Sequence, residues 1–453
     1  MIDDFSKRDR HPVLIVFCTM HRSFLLVALA LVPSIASARD MESKPADPYF
    51  ARYEGYKAPA PTALLLKKGD RLAICGDSIT EQKQYSLLME AYLTGCLADM
   101  EITVRQYGWS GEQADGFLGR MKNDVLRFHP TIATTCYGMN DHHYVPYTEE
   151  IGASYRKNQT GIVQMFKQAG TTVVLGSSGT IASVPSWVKT ANGTWEDLNN
   201  SLCKLRNIDI EIAEAEKVHF ADVFWPMLNA SFTAQQKYGK NFAVSGKDGV
   251  HPGWAGQVIM ASAFLHALGV DGNLGTITVD MASNKAEAAG GHTVKACAGG
   301  KLDLTSVRWP FCAKQGPTDK DDSMRAGMAL CKFDERFNRL TLKVSGLTTP
   351  NATITWGSDT KSFTKDQLAA GINLAAEFQT NPFSEPFSKM WKAVAEKQAF
   401  ETKQIKTIFH GAEGKADMEA AVKKTEEEHA RLAEAIKASV HPVEHTVVIT
   451  PVP

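Results

Sequence analysis

The chain has 453 residues, 44% of them hydrophobic and 22% charged, with a formal net charge of −1. That length allows two or three domains, each able to bury a core. The charge balance excludes a global field that would recruit nucleic acid or an anionic membrane, and no Lys/Arg cluster argues for either locally.

The N-terminus reads as a targeting segment. Met20-His-Arg-Ser is a short basic region, an apolar run covers 24–32, and Ala36-Ser-Ala38 offers small residues for cleavage. The expected signal peptide is 1–38, with Met20 as the true start because Asp3, Asp4 and a second apolar patch at 13–17 precede it. The mature protein is then expected to be secreted or periplasmic. An uncleaved anchor is the alternative, although the apolar run is short for a bilayer. No other stretch is apolar enough to span a membrane, and no stable membrane partner is expected.

Residues 39–62 form a proline-rich lead-in. From 63 to 272 strand and helix patterns alternate: strands at 71–75, 102–106, 131–136, 172–176 and 218–222, helices at 83–98, 114–128, 150–169, 194–216 and 253–268. Such alternation predicts a mainly parallel five-stranded sheet wrapped by helices on both faces, an α/β three-layer sandwich with the flavodoxin-like order 2-1-3-4-5. Past Gly272 the pattern changes. Short β segments at 276–280, 301–305, 340–344, 352–356 and 445–450 predict a β-rich accessory domain over 273–453. Two helical stretches, 384–409 and 416–438, add a charged hairpin whose Glu/Lys run from Lys423 to Arg431 reads as a solvated face.

Of eight cysteines, Cys18 lies in the signal region, Cys75 and Cys136 end core strands, and Cys297, Cys312 and Cys331 could supply one disulfide in an exported protein. No Cys-x-x-Cys pair and no His/Cys cluster at zinc spacing occurs, and the adjacent side chains of His142 and His143 diverge on an extended loop, so neither metal nor cofactor is expected.

The stretch Arg71-Leu-Ala-Ile-Cys-Gly-Asp-Ser-Ile-Thr80 reads as a buried strand, a tight turn and a helix, and it holds Ser78 at the carboxyl edge of the sheet, where open α/β sheets bind ligands. A serine hydroxyl needs a base, histidine is the usual one, and a carboxylate fixes its tautomer. Of thirteen histidines, three follow an acid by three positions: His219, His251 and His429. Glu216–His219 spans a helix-to-strand junction, and Glu426–His429 lies inside the charged helix with both residues expected at the surface. Asp248-Gly-Val-His251 sits in a loop after the last strand, before a helix opened by Pro252, and Gly249 lets the turn fold so that Asp248 reaches the far ring nitrogen. Gly108-Trp-Ser-Gly-Glu112 and Tyr137-Gly-Met-Asn-Asp141 lie at the same edge. Gly111 and Asn140 suit the oxyanion donors of acyl transfer, with the Ser78 N–H as the third.

Together these blocks resemble the SGNH (GDSL-type) hydrolases. Gly76-Asp-Ser-Ile, the glycine of Trp109-Ser-Gly111, Gly138-Met-Asn140 and Asp248-Gly-Val-His251 are similar to blocks I, II, III and V of that family, over roughly residues 70–270. The resemblance implies Ser78 as nucleophile, His251 as general base and acid, Asp248 as its orienter, and Ser78, Gly111 and Asn140 as the oxyanion hole. Two positions depart from the family: Tyr107, where relatives often carry Asn, and Glu112, often Asp. The region after 272 matches no block.

Trp109 and Trp254 flank the proposed site residues and Trp187 lies in the loop after the fourth strand; aromatic faces there suit a sugar ring. The expectation is a secreted serine esterase removing acetyl or similar groups from carbohydrate, its substrate a small-molecule or polysaccharide ester. A lysophospholipase or thioesterase of the same family, or a non-catalytic carbohydrate-binding protein on the same scaffold, are the alternatives.

Overall fold

In the first strand, Leu72 and Ile74 face one buried apolar cluster while Ala73 and Cys75 face the other. A strand covered on both sides has this uninterrupted apolar run, because alternate side chains enter opposite layers. The computed structural model describes residues 39–61, 63–189 and 192–453. The expected signal peptide, with Cys18 and Met20, lies outside the described residues. Asp40–Pro453 form one compact unit.

Strands β1 (Arg71–Gly76), β2 (Thr103–Gly108), β3 (Ile132–Cys136), β4 (Thr172–Gly176) and β5 (His219–Ala221) form a parallel sheet in the expected order β2-β1-β3-β4-β5. The connecting helices are α1 (Ser78–Glu81), α2 (Tyr85–Gly95), α3 (Ala114–Asp124), α4 (Glu149–Gln168), α5 (Trp195–Glu216), α6 (Phe224–Tyr238) and α7 (Trp254–Ala267). The helix expected over 83–98 is α2, and the short α1 precedes it, the two separated at Lys83, whose φ is 58°. Helix α6 was not expected, because Pro226 interrupts its pattern; proline is tolerated there since a first-turn N–H has no intrahelical acceptor. Helix α7 starts at Trp254, two residues beyond the proline expected to open it.

Beyond Gly272 lie β6 (Asn273–Asp280), β7 (Lys285–Ala289), β8 (His292–Ala298), β9 (Lys301–Ser306), α8 (Met324–Cys331), α9 (Phe333–Phe337), β10 (Arg339–Ser345), β11 (Asn351–Trp356), β12 (Asp359–Thr364), α10 (Lys365–Ala370), β13 (Ile372–Asn373) and α11 (Leu374–Glu377). Then come α12 (Ser384–Thr402), a π-helical segment (Lys403–Phe409), α13 (Ala412–Ala416), α14 (Met418–Ser439) and β14 (Val443–Val452). The strands make two sheets, β13-β10-β6-β7 and β12-β11-β14-β9-β8. The strands not expected from sequence, β7, β8, β12 and β13, are the edges of those sheets. An edge strand buries little, so its sequence lacks an apolar run.

The two regions share a core. Tyr92 and Leu93 of α2 belong to the same buried cluster as Trp309, Phe311, Phe387 and Met390. The hairpin of α12 and α14 lies along β2, the open edge of the parallel sheet. There Lys397 Nζ donates to Val104 O at 2.6 Å, and Gln106 N donates to Glu401 Oε2 at 3.1 Å. Two side chains one helical turn apart thus satisfy backbone groups that an edge strand would otherwise expose. This corrects the expected surface placement of Glu426 and His429. Glu426 pairs with Arg105 at 2.6 Å, and His429 Nε2 lies 2.9 Å from the buried Glu401 carboxylate.

The expected disulfide is not formed. All seven cysteines among the described residues are free thiols, and the three candidates sit on separate elements: Cys297 in β8, Cys331 beside Ser262 of α7, and Cys312 beside Asn381. Cys75 and Cys136 are buried.

Candidate active site

The C-terminal ends of β1, β2 and β3 and the loop before α7 converge on Ser78. Asp77 caps α1, its Oδ1 accepting the Ile79 N–H at 2.9 Å, which places Ser78 as the first helical residue. Burial pushes the Asp77 carboxyl up to about 7, against the pull of the Ile79 N–H. Ser78 Oγ lies 2.8 Å from His251 Nε2. On the far side of the ring, His251 Nδ1 lies 2.7 Å from Asp248 Oδ2.

The Asp248-Gly-Val-His251 turn is built for that reach. Asp248 Oδ1 accepts the backbone N–H groups of Val250 and His251 at 2.9 and 2.8 Å, leaving Oδ2 for the imidazole. Gly249 has φ +86°, and a Cβ there would come within 2.3 Å of Ser183 Oγ, so only glycine fits. Burial raises the Asp248 carboxyl, but the N–H groups of His251 and Val250 and the ring itself outweigh it and hold the carboxyl below its ordinary range. A carboxylate that stays ionised fixes the Nδ1–H tautomer and leaves Nε2 free to accept a proton from Ser78.

After β2 the chain turns through Trp109-Ser-Gly-Glu112, closed by a 3.2 Å bond from Glu112 N to Trp109 O. Gly111 sits at the third position with φ +75°, the requirement of a type II turn. After β3, Asn140 Nδ2 donates to Glu112 O at 3.0 Å and its Oδ1 accepts from Tyr144 OH at 3.3 Å. Because the amide carries two N–H groups, one remains for a ligand. Asp141 ties the two loops together, accepting from Ala114 N and Gly138 N at 2.9 Å each; burial pushes its carboxyl up to about 6.

Several of these supports were not legible from sequence. Glu112, noted only as a departure from the family, is a buried anchor: Arg120 grips both its oxygens at 2.6 Å, and Tyr137 OH donates to it at 2.8 Å. Tyr144 follows His143 in a second consecutive left-handed conformation, φ 56° after 52°, a strain that sites tend to keep. His142 is buried with its pKa pushed down to about 4 by burial, while His143 is exposed; the two sit in a turn, with His143 at φ 52°, and not on the extended loop expected.

Of the three tryptophans, one faces the site. Trp187 is 45% exposed, its ring 5.7 Å from that of His251 and edge-on to Tyr144. Trp109 packs instead against His410 at 4.9 Å and Trp254 against Trp391 at 5.9 Å, because the hairpin brings ring partners to both.

The architecture is the three-layer α/β sandwich of SGNH-type hydrolases, extended by a β-rich C-terminal region. Residues 74–259 match the sequence profile of the GDSL-like lipase/acylhydrolase family, so the chain carries a domain of that family and is a hydrolase acting on ester bonds. Among solved structures it is similar to a gut microbial diltiazem-metabolizing enzyme, 21% identical, with 87% of this chain and 100% of that one covered at a TM-score of 0.71. At that identity the likeness is one of fold, and it extends through the C-terminal region. Shorter likenesses include the acetylxylan esterase Axe2 from Geobacillus stearothermophilus, 21% identical over 45% of this chain and 96% of that one with a TM-score of 0.36. An α/β hydrolase from the metagenome of Lake Arreo, Spain, is 19% identical over 46% and 98%, with a TM-score of 0.37. No curated protein sequence matches the chain.

Proposed function

We propose that the protein is an exported serine esterase that removes acetyl or similarly small acyl groups from carbohydrate through a Ser78–His251–Asp248 triad. The observation that carries this reading is the unbroken chain from Ser78 Oγ to His251 Nε2 at 2.8 Å and from His251 Nδ1 to Asp248 at 2.7 Å. Ser78 Oγ attacks the ester carbonyl carbon as its proton passes to Nε2, and Asp248 steadies the imidazolium. The carbonyl oxygen, now an oxyanion, is held by the N–H groups of Ser78 and Gly111 and the free N–H of Asn140. Collapse expels the alcohol, which takes the proton from Nε2. Water then attacks the acyl-enzyme with His251 again as base, releasing the acid and restoring Ser78.

The carbohydrate half of the reading rests on Trp187, a ring exposed beside the base and suited to stacking on a sugar. Export rests on the segment at 20–38, with cleavage near Ala38. The test is acetate release from a panel of acetylated polysaccharides, with the Ser78→Ala protein as blank. Release above that blank supports the reading. Preference for long-chain nitrophenyl esters would move the substrate to a lysophospholipid or thioester, and equal rates for both proteins would make the protein a binding module.

A further inference from the structure

The tip of the C-terminal hairpin reaches the oxyanion loop. The π-helical segment Lys403–Phe409 carries Lys406, whose Nζ lies 2.8 and 2.9 Å from the two carboxylate oxygens of Glu81. Glu81 is the last residue of α1, the helix that begins with Ser78. Its Oε2 in turn accepts the Ser110 backbone N–H at 2.5 Å and the Ser110 hydroxyl at 2.6 Å. Ser110 and Gly111 are the two central residues of the turn that closes between Trp109 and Glu112. On the other side of that turn, His410 meets the Trp109 ring at 4.9 Å while its Nε2 lies 2.8 Å from Asp124. Lys406 also stands 5.2 Å from the Trp109 ring. Three contacts from one hairpin therefore bear on a four-residue turn.

The geometry matters because the central peptide of a type II turn is its weak point. Rotation of the Ser110–Gly111 peptide interconverts turn types and reverses its N–H, at little cost when glycine occupies the third position. A donor aimed at an oxyanion is worth most when it is fixed before charge develops. Glu81 accepts from both donors of Ser110, its backbone N–H and its hydroxyl, and Lys406 fixes Glu81 with a half-buried ion pair. π-helical turns are rare and gather at functional sites. Here the segment carries Lys406 to α1 and leads directly into His410.

We propose that Lys406 is a positioning residue for ester hydrolysis: acting through Glu81 and Ser110, it holds the Gly111 N–H toward the oxyanion. The C-terminal hairpin is thereby a working part of the active site. This rests on the reading of Ser78 as nucleophile and Gly111 as oxyanion donor.

The experiment measures kcat and KM on 4-nitrophenyl acetate, and Ki for an alkylboronic acid whose anionic adduct on Ser78 mimics the tetrahedral intermediate. Lys406→Met is expected to lower kcat about 10- to 100-fold with KM within about twofold, and to raise the boronate Ki in step. Lys406→Arg restores most of both. Glu81→Ala gives the same pattern, and Lys406→Met added to it lowers kcat no further, because both act on one chain of contacts. Should Lys406→Met melt early, Glu81→Ala and Lys406→Arg carry the test. Unchanged kcat and boronate Ki in Lys406→Met, multiplicative losses in the double variant, or a rise in KM alone would each overturn the proposal. Full turnover by Ser78→Ala would instead overturn the underlying reading, and this proposal with it.

Discussion

Arg120 and Glu112 form a two-pronged buried ion pair, each side chain only 6% exposed, with Arg120 Nε and Nη2 2.6 Å from the two carboxylate oxygens. Arg120 also donates to Tyr107 O at 2.7 Å, while the Glu112 carbonyl receives the Asn140 amide. The pair thus braces β2, the Gly111 turn and the Asn140 loop together. Arg120→Met is expected to cost about 3–5 kcal/mol in urea unfolding, because a carboxylate is left buried without its partner. Adding Glu112→Gln should return part of that loss. If the double variant is less stable than the parent by the full sum of both single losses, the two residues are not coupled as described.

For the proposed nucleophile, Ser78→Ala is expected to fold with an unchanged melting temperature and to lose kcat by on the order of 10³-fold or more. Asp248→Asn should keep the fold and lose a comparable factor near neutral pH, since an amide no longer selects the Nδ1–H tautomer. A loss confined to KM in either variant would refute these roles.

Trp187→Ala is expected to raise KM about three- to tenfold on acetylated oligosaccharides, the range of a single aromatic contact, with kcat little changed. On 4-nitrophenyl acetate, which has no ring to place on the indole other than its leaving group, the variant should behave as the parent. Equal effects on both substrates would assign the residue to packing.

The C-terminal sheets contain a buried relay: Trp356 Nε1 donates to His445 Nδ1 at 3.1 Å, His445 Nε2 lies 2.8 Å from Ser306 Oγ, and that hydroxyl lies 2.7 Å from His292 Nδ1. Each group fits one neutral tautomer. Burial pushes His445 down to about 4, with the His292 charge adding to it. The unfolded chain binds a proton near the ordinary histidine value of about 6.5, so it takes up protons before the folded chain does. The stability that neutral His445 supplies is therefore complete above about pH 6.5 and falls until about pH 4, by on the order of 3 kcal/mol. Other buried groups titrate in the same window, so the measurement is a difference. The gap in unfolding free energy between the parent and His445→Gln should shrink by most of that amount from pH 7.5 to 4.5. A pH-independent gap would rule the relay out.

The sequence by itself determined the parallel sheet and the meeting of its loops. Strands buried on both faces cannot avoid apolar runs such as 72–75, and each breaks at the carboxyl end into Gly, Asp, Ser or Asn. Asp248 and His251 were legible because a three-residue turn links them, so their pairing is local. Tertiary structure alone decided the rest. Lys406 meets Glu81 across 325 positions and Lys397 meets Val104 across 293, and no periodicity encodes contacts at such separations. Nor could periodicity find β7, β8, β12 and β13, which bury too little to leave a pattern. Local sequence writes whatever a residue owes to its near neighbours; the hairpin's place along β2 comes from an edge strand whose open backbone groups had to be satisfied by another part of the chain.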